Sequence, residues 1–193
     1  MDSKEKLASI AYDMLMRSIT EISSDETTDI YALSFFIYDS DDDPRCPTLT
    51  LGYNTRSFYE EMISSASDNS EAKWNYAFWL QNSLCTVGKY GTKSGSALEC
   101  WIDDMGMSYS DEEQDDDFDR CMALGAAITK EFVQLAVELA KQLHDSGFIG
   151  KKFNKSIPII VHELEYYNEI AAQTLRANPP GVAEEFARWV EEM

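Results

Sequence analysis

Apolar residues recur at three- and four-residue spacing from Leu7 through Ile10, Ala11, Met14, Leu15 and Ile19 to Ile22. This predicts an amphipathic helix near 3–22, capped by Asp2 or Ser3. A polar run, Ser23 to Thr28, ends it. Asp29–Tyr38 is of strand length and dense in Ile, Tyr, Leu and Phe, while Cys46–Tyr53 contains the alternation Thr48-Leu49-Thr50-Leu51. Together they read as strands near 29–38 and 46–53, joined as a hairpin through Asp39–Pro44. Ser57 and Glu60 suit a capping box for a short helix near 57–66. Lys73–Leu80 carries Trp74, Tyr76, Phe78 and Trp79, so a helix near 71–81 must pack inward or against a partner.

A short strand is predicted near 84–89, followed by a Gly/Ser/Lys loop to Ser96 and a short helix over Ala97–Met105. The strongest helical signal lies near 118–146, where Phe118, Met122, Gly125, Ile128, Phe132, Leu135, Leu139 and Leu143 trace one stripe. Gly147 is its stop. A buried strand near 157–162 has Pro158 close to its start. Helices near 165–177 and 180–192 follow, the second opened by Asn178-Pro179. Strands separated by helices, with one hairpin, predict a single α+β domain over residues 1–193 with a small, mainly antiparallel sheet.

A chain of 193 residues with 44% hydrophobic residues has enough material for a core of its own. Charge changes the picture more. Sixteen Lys and Arg stand against thirty-five Asp and Glu, a net charge of −19. Such a field repels nucleic-acid phosphates and anionic membranes, and attracts basic proteins. Acidity that serves only solubility is the competing account. The opening residues Asp2-Ser3-Lys4-Glu5-Lys6 contain no apolar signal core, and no apolar run approaches the ~20 residues a membrane span needs. Cys46, Cys85, Cys100 and Cys121 are widely spaced without a CxxC. A cytoplasmic location with free thiols is the expectation.

Candidate chemistry mostly fails on inspection. Asp39-x-Asp41-x-Asp43 begins like a calcium loop, but Pro44 replaces the turn glycine and Thr50 the closing glutamate. Asp115-x-Asp117-x-Asp119 fails likewise, at Arg120 and Ala126. His162-Glu163-Leu164-Glu165 begins like a zinc-protease helix, yet Tyr166 stands where the second histidine is required. His144, near a helix end, suits the dipole there, and His162 suits a structural role at the end of a buried strand. Cys100 and Cys121, among apolar neighbours, read as inert buried thiols. There is no phosphate-binding glycine loop and no nucleophile elbow. No cofactor or metal is expected.

Tyr31–Tyr38, Lys73–Trp79, Ile159–Glu165 and Asn178-Pro179 together resemble an uncharacterised group of bacterial proteins. That group occurs in polymorphic-toxin immunity loci, alongside SUKH-type immunity proteins. The resemblance implies a cytoplasmic α+β protein that binds a cognate toxin and blocks its active site or substrate access. It carries no catalytic residues. Many such toxins are nucleases with basic clefts, which suits the charge.

Two acidic runs are therefore the candidate partner-binding residues: Asp39, Asp41, Asp42 and Asp43, then Asp111, Glu112, Glu113, Asp115, Asp116, Asp117 and Asp119. If they share one side, they focus a potential that steers a basic protein. Trp74, Tyr76 and Trp79 are candidate anchors inside that rim, with core packing the plainer role for at least two of them. Two other classes stay open. One is an adaptor or housekeeping domain, acidic for solubility; the other is a hydrolase using dispersed carboxylates such as Glu163 or Glu165.

Overall fold

The computed structural model describes residues 2–193. A four-stranded sheet forms from β1 (Ile30–Asp39), β2 (Pro47–Thr55), β3 (Cys85–Val87) and β4 (Ile159–His162) in the order β3-β2-β1-β4. β1 and β2 are the antiparallel hairpin, with Phe36 opposite Thr50 and Asp39 opposite Pro47. β3 adds antiparallel to β2, and β4 adds parallel to β1 with Phe35 facing Val161. The helices are α1 (Ser3–Glu21), α2 (Ser24–Asp29), α3 (Arg56–Met62), α4 (Asn69–Trp74) and α5 (Lys93–Asp104), then α6 (Asp111–Asp116), α7 (Phe118–Asp145), α8 (Phe148–Phe153), α9 (Asn168–Ala177) and α10 (Glu184–Glu192).

Strand parity divides the interior in two. Leu33, Phe35 and Ile37 of β1, with Ile159 and Val161 of β4, join the larger core with α1, α5, α7 and α8. Ala32 and Ile160 point the other way, into a smaller aromatic core of Tyr31, Trp74, Trp79, Ile170 and Phe186. The register shifts between Ile30 and Ala32. That bulge lets Tyr31 and Ala32, although consecutive, serve the same core.

The free edge of β4 is closed by side chains from α9. Asn178 accepts from the Ile159 amide and donates to its carbonyl, both at 2.8 Å. Thr174 accepts from the Val161 amide at 3.1 Å and Gln173 donates to the Val161 carbonyl at 2.8 Å. α9 thus supplies the hydrogen bonds of an absent neighbouring strand, which removes an exposed edge. Asn178 is fully used in this way, so it does not cap the last helix, which begins only at Glu184.

Other boundaries move for local reasons. Ser23 and Glu26 form a capping box, which turns the polar run after α1 into α2. Thr55, not Ser57, caps α3 by accepting from the Phe58 amide. Asn75 breaks the helix predicted over 71–81, leaving α4 and a single 3-10 turn at Tyr76–Phe78. Thr92 caps α5 within the predicted loop. Gly147, at φ 73°, does end α7 but at once opens α8.

Candidate functional site

The turn between β1 and β2 is tightly wound. Asp41 and Asp42 both lie in the left-handed region, at φ 58° and 56°, a conformation that short polar side chains tolerate best among L residues. The Tyr38 hydroxyl donates to Asp42 Oδ1 at 2.8 Å and fixes that carboxylate. Asp43 receives a side-on fork from Arg45, with Nε at 2.9 Å from Oδ1 and Nη2 at 2.7 Å from Oδ2. The same guanidinium donates through Nη1 to Asp111 Oδ1 at 2.7 Å and lies over the Tyr109 ring. Arg45 holds the Asp43 carboxyl below the usual carboxylate range.

Arg45 therefore ties the two acidic runs into one surface. The second run is ordered: Ser110 and Glu113 form a capping box on α6, and Asp117 caps α7 by accepting from the Arg120 amide. Asp111, Glu112, Glu113, Asp115, Asp116, Asp117 and Asp119 are all exposed. Pro44 brings the turn onto α7 at Gly125, where a Cβ would stand 2.7 Å from the proline ring. Glycine is required there by close approach, not by backbone conformation.

Beside this contact, between α7 and α9, runs a groove of about 780 Å³. Pro44, Met122, Ala126, Val133 and Ala172 supply its apolar wall, and Asp39, Asp42 and Glu163 its acidic end. A hollow of about 370 Å³ adjoins that end, bordered by Tyr38, Leu164, Glu165 and Tyr167. A third, of about 320 Å³, lies around Arg45 and Asp111. Asp42 lines all three, so the face is continuous.

Asp39 is the unusual member. Its Oδ1 is buried with no hydrogen-bond partner among the described residues. Burial first, then the charges of Glu163, Asp43 and Asp42, push its carboxyl up to about 6, while the neighbouring Thr129 donates its hydroxyl to the Gly125 carbonyl at 3.2 Å. Glu163 accepts from the Tyr167 hydroxyl at 3.1 Å.

The aromatic candidates lie elsewhere. Trp74 and Trp79 are 3% and 4% exposed and belong to the second core, so neither is a surface anchor. Trp79 Nε1 donates to the Lys73 carbonyl at 2.9 Å. Tyr76 is half-buried and stacks on Phe36 with ring centres 5.1 Å apart. The apolar groups that do border the acidic face are Phe118, Met122, Leu164 and Tyr167, exposed by 58%, 51%, 68% and 43%. Phe118 and Met122 were expected in the core stripe of α7. At 3.6 residues per turn, Phe118, Met122, Ala126 and Val133 share one arc, roughly 100° from the arc of Cys121, Gly125, Ile128 and Phe132. The spacing already contained this second stripe, merged with the first by an overly wide apolar face.

His162 is fully buried and accepts a hydrogen bond from Ser34 Oγ, 2.7 Å from Nε2. Nδ1 must carry the proton, because it lies 3.0 Å from the Glu163 carbonyl, which can only accept. Phe36, Tyr76 and Tyr166 pack around the ring, and Ser34 is 1% exposed. This serine–histidine pair is structural, since no substrate reaches it. His144 lies 3.0 Å from Asn178 Oδ1, and burial lowers its basicity. It supports the α9 bracket on β4. Cys121 is buried, but Cys100 is exposed, contrary to its expected burial.

No family model, no curated protein and no solved structure matches this chain.

Proposed function

We propose that this chain is a non-enzymatic binding protein whose acidic face receives a basic protein, and that it serves as an immunity protein occluding a basic cognate toxin. The observation that carries the reading is the joining of both acidic runs through Arg45, with the first run lining one end of an apolar groove at Asp39 and Asp42. Charge at a rim sets the rate and orientation of encounter, while affinity comes from apolar groups at the centre. Both parts occur side by side here, with Phe118, Met122 and Tyr167 in place of the tryptophans.

The test is affinity capture from native extract, with rising salt, on the wild-type chain and on D111N/E112Q/D115N/D116N. A single basic protein that is held by the wild type, released late and lost from the variant, and whose activity the wild type inhibits, supports the reading. Absence of any specific partner at low salt overturns it in favour of acidity for solubility.

One observation favours a second reading. Asp39, with its raised affinity for a proton, and Glu163 sit together in the groove, as an acid and base pair does in carboxylate hydrolases. Turnover of any ester or glycoside substrate that disappears in E163Q, with the fold intact, would support it.

A further inference from the structure

Three features of the groove between α7 and α9 point to what fills it. The first is a partly uncovered stripe of α7, in which exposed Met122 and Ala126 lead to Val133, itself half-buried against the main core. A helix presents such a second apolar stripe to solvent at a cost unless something lies on it. The second is the acidic end. Among the described residues, ion pairs engage Asp43, Asp111, Glu113, Glu138 and Glu185, and none engages Asp39, Asp42 or Glu163. Among the described residues, no lysine or arginine borders the adjoining hollow, which shares those three carboxylates, whereas Lys130 and Arg176 border the groove proper.

The third is that this end is already in place. Tyr38 and Tyr167 hold the Asp42 and Glu163 carboxylates, and Asp39 Oδ1 is left without a donor among the described residues. A cation arriving there would supply the missing bond and relieve the repulsion that raises Asp39. A bare hydrated ion would gain nothing from Met122 and Val133. A side chain with an apolar stem and a charged head gains from both.

We propose that the groove seats an amphipathic segment of the basic partner. Its apolar side chains lie on Met122, Ala126 and Val133, and one lysine or arginine reaches Asp39 and Glu163. The proposal rests on the binding reading above and adds the mode of recognition. The groove's volume falls within the range of about 300–1,000 Å³ usual for sites that enclose a ligand.

The probe is a synthetic Leu/Lys amphipathic helical peptide, with a control in which every leucine is serine and the charge is unchanged. Each is titrated into the full ¹⁵N-labelled chain at low and moderate salt. The Leu/Lys peptide is expected to shift amides at 126–134, at 169–176 and at Asp39, and to bind about tenfold more tightly than its control. A126W and A172W, which fill the groove from exposed positions, should each weaken it about tenfold, and D39N about fivefold. Equal binding of the two peptides, with shifts confined to 111–119 and no effect of A126W, would overturn the groove while leaving the acidic face as a general attractor. Failure of both peptides to bind at low salt would overturn the groove and the acidic-face reading together.

Discussion

Asp39→Asn should stabilise this protein at neutral pH, and the gain should vanish in acid. The carboxyl has its pKa raised from 3.8 to about 6, by burial first and then by Glu163 and Asp43. A shift of that size corresponds to about 3 kcal/mol between the protonation states. Asp39 keeps partial contact with water, and screening reduces the working figure to about 1–2 kcal/mol. The sign follows from linkage. A carboxyl whose folded pKa lies above its unfolded value opposes folding where it is charged, above about pH 6. As pH falls from there toward 3.8, the native state takes up its proton first and the penalty disappears. Asparagine copies the protonated shape without the charge. Urea denaturation of wild type and D39N at pH 8 and at pH 4 reads the difference. A gain of about 1–2 kcal/mol at pH 8 and near zero at pH 4 is expected. A variant less stable than wild type at pH 8, or a gain independent of pH, would refute the placement of Asp39 in a repulsive, half-buried site.

Three further outcomes follow from other contacts. The His162 ring, lowered from 6.5 to about 4 by burial, favours folding fully above pH 6.5, and this contribution of up to about 3 kcal/mol is lost as pH falls toward 4; NMR should show the ring neutral until below pH 5, and titration near 6.5 in the folded protein would contradict its burial. Gly125→Ala should destabilise, because the new Cβ would meet the Pro44 ring at 2.7 Å; overpacking of about 1–3 kcal/mol outweighs a helix-propensity gain of about 1 kcal/mol, and a raised melting temperature would argue against the close approach. Arg45→Met removes the only bridge seen between the two runs among the described residues and should cost about 1 kcal/mol at low salt, less in 1 M salt, where exposed charges are screened; thermal melts at both salt concentrations decide it.

The hairpin, the long α7 and the buried β4 were legible because each depends on periodicity within its own segment. What was not legible depends on contacts between segments. Asn178 looked like a helix cap because the residue after it is proline, yet its amide is taken by β4, nineteen residues away in sequence. Trp74 and Trp79 offered the right chemistry for an interface, but the bulge after Ile30 and the arrival of α10 close a core around them. The acidic runs were visible as composition, and their meeting was not, because it depends on Arg45 reaching both Asp43 and Asp111. Phe118 and Met122 were open to a stricter reading, since the helical arc alone separates them from the core stripe.

Solubility explains one part of this acidity and not the other. The carboxylates at 111–119 are exposed, as a solubilising surface requires, and a charge there costs the fold little. Asp39 is placed differently. It is half-buried, lacks a partner for Oδ1 among the described residues, faces three like charges and sits beside a turn with two consecutive residues in the left-handed region. None of this improves solubility, and all of it lowers stability. Strain of this kind persists where surrounding structure holds it, and it concentrates at functional sites. A cation from a partner would turn the same carboxylate from a liability into a contact, so D39N should gain stability and lose affinity together. That opposed pair of effects in one substitution separates a binding groove from a merely acidic surface, on which neutralising a charge would leave both quantities nearly unchanged.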